Sequence, residues 1–224
     1  MPEQLLWGHV HILLLVFWLG GDIGVFIAAN IARTTKYSIE TRASLLSVAG
    51  TVDLFPRYCF ALMLPSGLTL VHAPGLYAPP LWAMLLAWAV GGAWVLMIWL
   101  SHKNPKAGFV KSFARFQFWG QGVFGLGLLA VAFMSFAKGT PVSEPWLSTK
   151  ILLLGLICFV AMTLEVVSRH FGAAFGEIVA SGSTPEREAC AYASMGSTLG
   201  VALVIYAILF IAAFVGKVKP FTLH

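Results

Sequence analysis

Charge is scarce in this sequence. Lys and Arg number 14 and Asp and Glu nine among 224 residues, 10% in all, where a soluble globular chain carries roughly a quarter. So few charges cannot cover a water-facing surface, and with 59% hydrophobic residues and a mean hydropathy of +0.86 the chain reads as an integral membrane protein. Cysteine is scarce too. Cys59, Cys158 and Cys190 stand far apart, two of them inside apolar runs, which excludes a disulfide framework or a zinc ribbon. No Walker loop, G-x-S-x-G, H-E-x-x-H or dinucleotide fingerprint stands in a suitable context, so hydrolase and nucleotide-driven functions drop out. The absence of an obvious pair of repeat halves with broken helices weighs against a secondary transporter. Long basic runs are missing as well. The formal charge of +5 comes from residues in short loops between apolar runs, where they orient spans, and nucleic-acid binding is excluded.

Long apolar runs are what remains. A helical crossing needs about 20 apolar residues, and six segments qualify: 5–32, 54–73, 81–101, 117–137, 147–170 and 192–216. "HAPGLYAPP" and "KGTPVSEP" make turns after the second and fourth. The expected fold is a single all-α domain over residues 1–224, a polytopic bundle of six transmembrane helices. The N-terminus lacks a basic n-region and a small-residue cleavage site, so the first span is expected to be retained. The polar stretch 33–53 fits an interfacial amphipathic helix with Ile39, Leu45, Leu46 and Val48 toward lipid. Ten Lys and Arg follow spans one, three and five, against four on the other side. That bias puts both termini outside, and the inner (plasma) membrane of a bacterium is the expected location.

The first span holds the residues that need explaining. Asp22 lies deep in "LLWGHVHILLLVFWLGGDIGVFIAANIAR", where an ionisable group costs at least about 2.5 kcal/mol. At about 100° per residue, His11, Trp18 and Asp22 fall within about 20° of one line, whereas His9 points almost opposite. Such a stripe should face protein, and Gly20, Gly21 and Gly24 permit a close approach by a helix or a flat cofactor. His72 and Lys150 are expected at the depth of His11. Two histidines on facing helices can ligate a haem iron, and one His can do so alone; the plain reading of His72 is a headgroup contact. "HVH" in an extended stretch could instead hold copper. His9 and His224 read as solvated, and His102 and His170 as headgroup-level residues. Arg57 and Arg169 are the candidate partners for Asp22, which otherwise serves as a proton relay.

These residues carry a family resemblance. "VHILLLVFWLGG" resembles the first span of the HemJ and CopD-like membrane proteins, in which a His is followed seven residues later by Trp and then by a Gly-containing turn of helix. "WLSTKILLLGL" is similar to their later span opening with Trp-Leu and a Lys, and "VGKVKPF" to the HemJ ending; "LPSGLTLV" fits the Pro- and Gly-containing second span. Residues 81–137 form an extra hairpin relative to a four-span HemJ. The resemblance implies haem b, with His11 and Lys150 in the positions required for protoporphyrinogen oxidation, whereas CopD-like relatives imply copper uptake.

Copper transport would need soft ligands along a path. Met63, Met84, Met97, Met134 and Met162 are scattered, and no Met-x-x-x-Met or Cys-x-x-Cys pair occurs. Haem needs a nitrogen ligand, close-approach glycines, aromatic walls and a cation for its propionates. His11, "WGQGVFGLG", Trp7, Trp18, Trp119, Trp146 and Lys150 supply these, although tight helix packing explains the glycines equally well. The expectation is a haem b-binding redox protein, a membrane oxidoreductase, with His11 and His72 as iron ligands. Trp18 and Lys150 would bind the cofactor, and Lys150 and Asp22 would take part in the chemistry. Its partners would be the lipid bilayer and a quinone, a porphyrinogen or a redox protein; a homo-oligomer, CopD-type copper transport and a haem-free anchor or assembly subunit stay open.

Overall fold

The structure is a computed structural model that describes residues 2–73, 75 and 77–220. His224 and two residues of the "HAPGLYAPP" turn lie outside the described residues. Seven helices follow in order: α1 (Pro2–Ala32), α2 (Ile39–Val52), α3 (Leu54–His72), α4 (Leu81–Lys103), α5 (Phe109–Lys138), α6 (Pro145–Ser181) and α7 (Pro185–Val218). No strand occurs among the described residues. Six helical stretches are long and apolar enough to cross a membrane, with α2 and α3 together forming the second. The chain is therefore a multi-pass, all-α membrane protein. In hydrocarbon every backbone N–H and C=O must be paired internally, and a helix does this within one segment.

The helices outrun the apolar segments that define them. α6 continues to Ser181, past the expected end at 170, while α5 and α7 start well before 117 and 192. Polar residues outside hydrocarbon keep the helical ladder when local pairs and caps favour it. In α6, Arg169 pairs with Glu165 one turn earlier, at 2.5 Å. Gly182, at φ 85°, closes that helix with its N–H on Ile178 O. The Thr184 hydroxyl then accepts from Arg187 N at 3.3 Å, with Pro185 at the first helical position of α7. The expected helix within 33–53 forms as α2, and only Asp53 separates it from α3. Of its apolar residues, Val48 is exposed while Ile39, Leu45 and Leu46 are half-buried.

The helices gather into two compact units, Met1–Ala28 with Ser44–Phe113, and Ala29–Ala43 with Ala114–His224. In the first, α1 meets α3 where a Cβ on Gly21 would lie 2.7 Å from Pro56. α4 meets α3 at Gly91, whose absent Cβ would lie 3.0 Å from Ala61 O and 3.2 Å from the Pro65 ring. Pro65 lacks the N–H that would bond that carbonyl, and the bare glycine backbone lets α4 close over it. Leu5, Ile12, Val16, Ile23 and Ile27 of α1 remain exposed, apolar surface that a bilayer covers.

In the second unit the glycine-rich run of α5 serves helix packing. A Cβ on Gly125 would sit 2.8 Å from Cys158 Cβ, and one on Gly155 would sit 2.9 Å from Leu129. Gln121 donates to Cys158 O across the same contact at 3.1 Å. These are backbones in near contact, the geometry small residues give to membrane helices. Trp119, expected in an aromatic wall, is 65% exposed.

Candidate functional site

His11 lies on the α3-facing side of α1. Its Nδ1 is 2.9 Å from the hydroxyl of Ser66, which is fully buried. Ser66 Oγ donates to Met63 O at 3.1 Å. A hydroxyl has one hydrogen, so with that hydrogen on Met63 the serine oxygen accepts from His11 Nδ1–H. In that arrangement Nε2 is the ring nitrogen that a metal would engage. Gly67 makes room for the ring: a Cβ there would lie 3.3 Å from His11 Cε1. A histidine whose Nδ1–H is fixed by a protein acceptor is oriented as metal-ligating histidines are.

The rest of the stripe is aromatic and acidic. Trp18 is 5% exposed and meets Phe60 edge-on at 5.4 Å, and Phe60 meets Trp94 at 6.0 Å. The Trp18 side chain hydrogen-bonds Asp22 one turn on, and Asp53 and Arg57 are near enough to act on that carboxylate electrostatically. Of the two arginines expected to partner Asp22, only Arg57 belongs to its unit. Arg57 forms its ion pair with Asp53 at 2.6 Å, and Arg169 belongs to the second unit, where it pairs with Glu165 and lies over Phe118. Asp22 is thus one of two carboxylates around a single guanidinium in the first unit.

Within the first unit, His72 stands apart from this group. His72 is exposed in the last turn of α3, six residues beyond Ser66 and so about 9 Å farther along the axis. Trp7 and Trp88 meet at a tilt of 52° with centroids 5.4 Å apart, and Trp88 Nε1–H donates to Thr69 Oγ1 at 3.0 Å. His9, His102 and His170 are exposed. Lys150 belongs to the second unit and is half-buried against α7, its Nζ 2.8 Å from where a Cβ on Gly216 would be.

Lys150 nevertheless repeats His11. Trp7-x-x-x-His11-Ile-Leu-Leu-Leu and Trp146-x-x-x-Lys150-Ile-Leu-Leu-Leu share one pattern, each in the first turns of a long helix. Each puts its basic side chain against a glycine of a later helix in its own unit, Gly67 and Gly216 respectively. The sequence reading passed over this repeat because apolar spans resemble one another; the Trp four positions before the basic residue was the available signal.

A second feature was missed altogether. Arg42, 1% exposed, donates through Nη1 and Nη2 to the two carboxylate oxygens of Glu188, both at 2.9 Å, and through Nε to Ala32 O at 2.6 Å. Ser183 Oγ adds a bond to Glu188 at 2.8 Å, and Phe175 lies under the guanidinium at 5.1 Å. The clamp satisfies a carbonyl that the end of α1 leaves without a helical partner.

Among the described residues, no group of three or more His, Cys, Asp and Glu side chains is placed to hold a metal ion. No family model, curated protein or solved structure matches the chain.

Proposed function

We propose that the protein is a haem b-binding redox protein of the bacterial inner membrane, with both termini outside and His11 as axial ligand through Nε2. The observation that carries this reading is the Ser66–His11 bond, because it holds the ring against a buried serine. The first unit fits one nitrogen ligand better than two, since His72 is exposed and displaced along α3. The resemblance to the HemJ and CopD-like proteins points the same way at His11 and Lys150. Bound haem would supply reversible one-electron chemistry.

The chain's own residues orient and insulate. Ser66 holds Nδ1–H and prevents the ring from turning. Trp18, Phe60 and Trp94 form a dry aromatic wall beside the stripe. Asp22, with Asp53 and Arg57 near it, is the acid placed to hold a proton when an electron arrives. Lys150 offers an ammonium for a carboxylate on a partner. That partner is a quinone, a porphyrinogen or another redox protein. The test is haem extraction from protein purified out of haem-sufficient membranes. About one haem b per chain is expected, and a protein that is stably folded and haem-free overturns the reading.

A further inference from the structure

The second unit contains an open cavity of about 380 Å³ lined by Arg33, Thr34, Thr35, Glu188, Ala189 and Tyr192. Arg33 is the first residue after α1, so the cavity sits where the apolar run ends, the depth at which headgroups begin. Its guanidinium carbon is held 4.4 Å above the Tyr192 ring, and its Nη1 lies 3.5 Å from where a Cβ on Gly196 would be. Arg33 Nε is buried without a hydrogen-bond partner. A buried guanidinium N–H with no acceptor costs free energy unless something arrives to accept it.

The charge balance of the lining decides what that something is. Glu188 is already spent: both oxygens accept from Arg42, and one also accepts from Ser183. Arg33 has no ion pair among the described residues, so the lining carries one uncompensated cation. Thr34 donates its hydroxyl to Ile31 O at 2.8 Å, while Thr35 is exposed on the rim. Glu188, Ala189 and Tyr192 line the cavity with one side of α7, and the Glu188 N–H is already bonded to Thr184 O. A planar guanidinium and a hydroxyl at headgroup depth suit tetrahedral oxyanions.

We propose that this cavity binds a phosphate group, with Arg33 as its principal donor and Thr35 on the rim. Tyr192 holds the guanidinium ready by stacking, which lowers the ordering cost on binding. The phosphate belongs to an anionic phospholipid headgroup or is free in solution, and the experiment separates the two.

Thermal unfolding of the full-length protein in detergent would be followed with added phosphatidylglycerol, diacylglycerol (the same tails without phosphate) or inorganic phosphate. Phosphatidylglycerol raising the unfolding temperature where diacylglycerol does not supports the site with lipid as the source. A matching rise from inorganic phosphate supports it with the free ion as the source. Arg33→Gln should weaken the response roughly fivefold or more, whereas Lys36→Gln, on the same loop but outside the lining, should leave it unchanged. Should Arg33→Gln fail to accumulate, Tyr192→Leu and Thr35→Val report on the same cavity and should each weaken binding. Equal responses in wild type and the lining variants, or equal responses to phosphatidylglycerol and diacylglycerol with none to phosphate, overturn the proposal.

Discussion

At the scale of single residues, three polar groups in apolar surroundings are handled in three ways. His11 is tied to a buried hydroxyl, Asp22 is bonded by Trp18 on its own helix, and Lys150 lies along α7 at Gly216. These arrangements give different consequences on mutation. Ser66→Ala removes the acceptor that holds His11 Nδ1–H while leaving the ring in place, and partners of this kind typically matter by about 10- to 100-fold in metal affinity. Haem retention in detergent should fall accordingly, with the helical content by circular dichroism unchanged; unchanged retention would show that Ser66 does not orient the ring. For Asp22 the magnitudes separate two accounts. A buried ion pair broken on one side costs about 3–5 kcal/mol. Here Arg57 keeps Asp53 when Asp22 is neutralised, and an Asn carbonyl can still accept from Trp18. Asp22→Asn should therefore cost only about 0.5–1.5 kcal/mol, the scale of one hydrogen bond. A loss several times larger in reversible unfolding would restore a direct Asp22–Arg57 pair as the main contact.

At the scale of helices, two contacts in the second unit rest on different physics. The α5–α6 crossing depends on missing side chains. Gly125→Ala puts a Cβ 2.8 Å from Cys158 Cβ, an overpacking that typically costs about 1–3 kcal/mol, whereas Gly127→Ala enters open space. The first should lower the unfolding temperature and the second should not. Equal effects would mean that the glycines act through helix propensity alone. The Arg42–Glu188 clamp depends on charge. Glu188→Gln leaves Arg42 buried with a neutral partner, and the expected loss is about 3–5 kcal/mol. Glu186→Gln, two residues away and exposed, is the control and should be nearly silent by the same unfolding assay. These elements also show what the sequence can and cannot disclose. The six spans were legible because bilayer thickness writes itself into composition. The end of α6 and the start of α7 were not, because Thr184 and Arg187 lie in a polar stretch that reads as a loop until its capping is seen. Arg42 and Glu188 stand 146 residues apart, so no local pattern joins them.

At the scale of the whole molecule, the chain carries one pattern twice, Trp-x-x-x-basic-Ile-Leu-Leu-Leu, with histidine in one unit and lysine in the other. The stripe of His11, Trp18 and Asp22 was legible from helical periodicity alone. Its anchor was not, since Ser66 is 55 residues distant and one serine among many. That anchor turns an interfacial histidine into one whose ring is held in place, and the proposed redox role rests on it. The most direct test is the absorption spectrum of the purified wild-type protein beside His11→Ala and His9→Ala. A Soret band in the wild type that is lost or strongly reduced in His11→Ala and kept in His9→Ala is the result expected. A band of equal strength in all three, or none in the wild type, would contradict it.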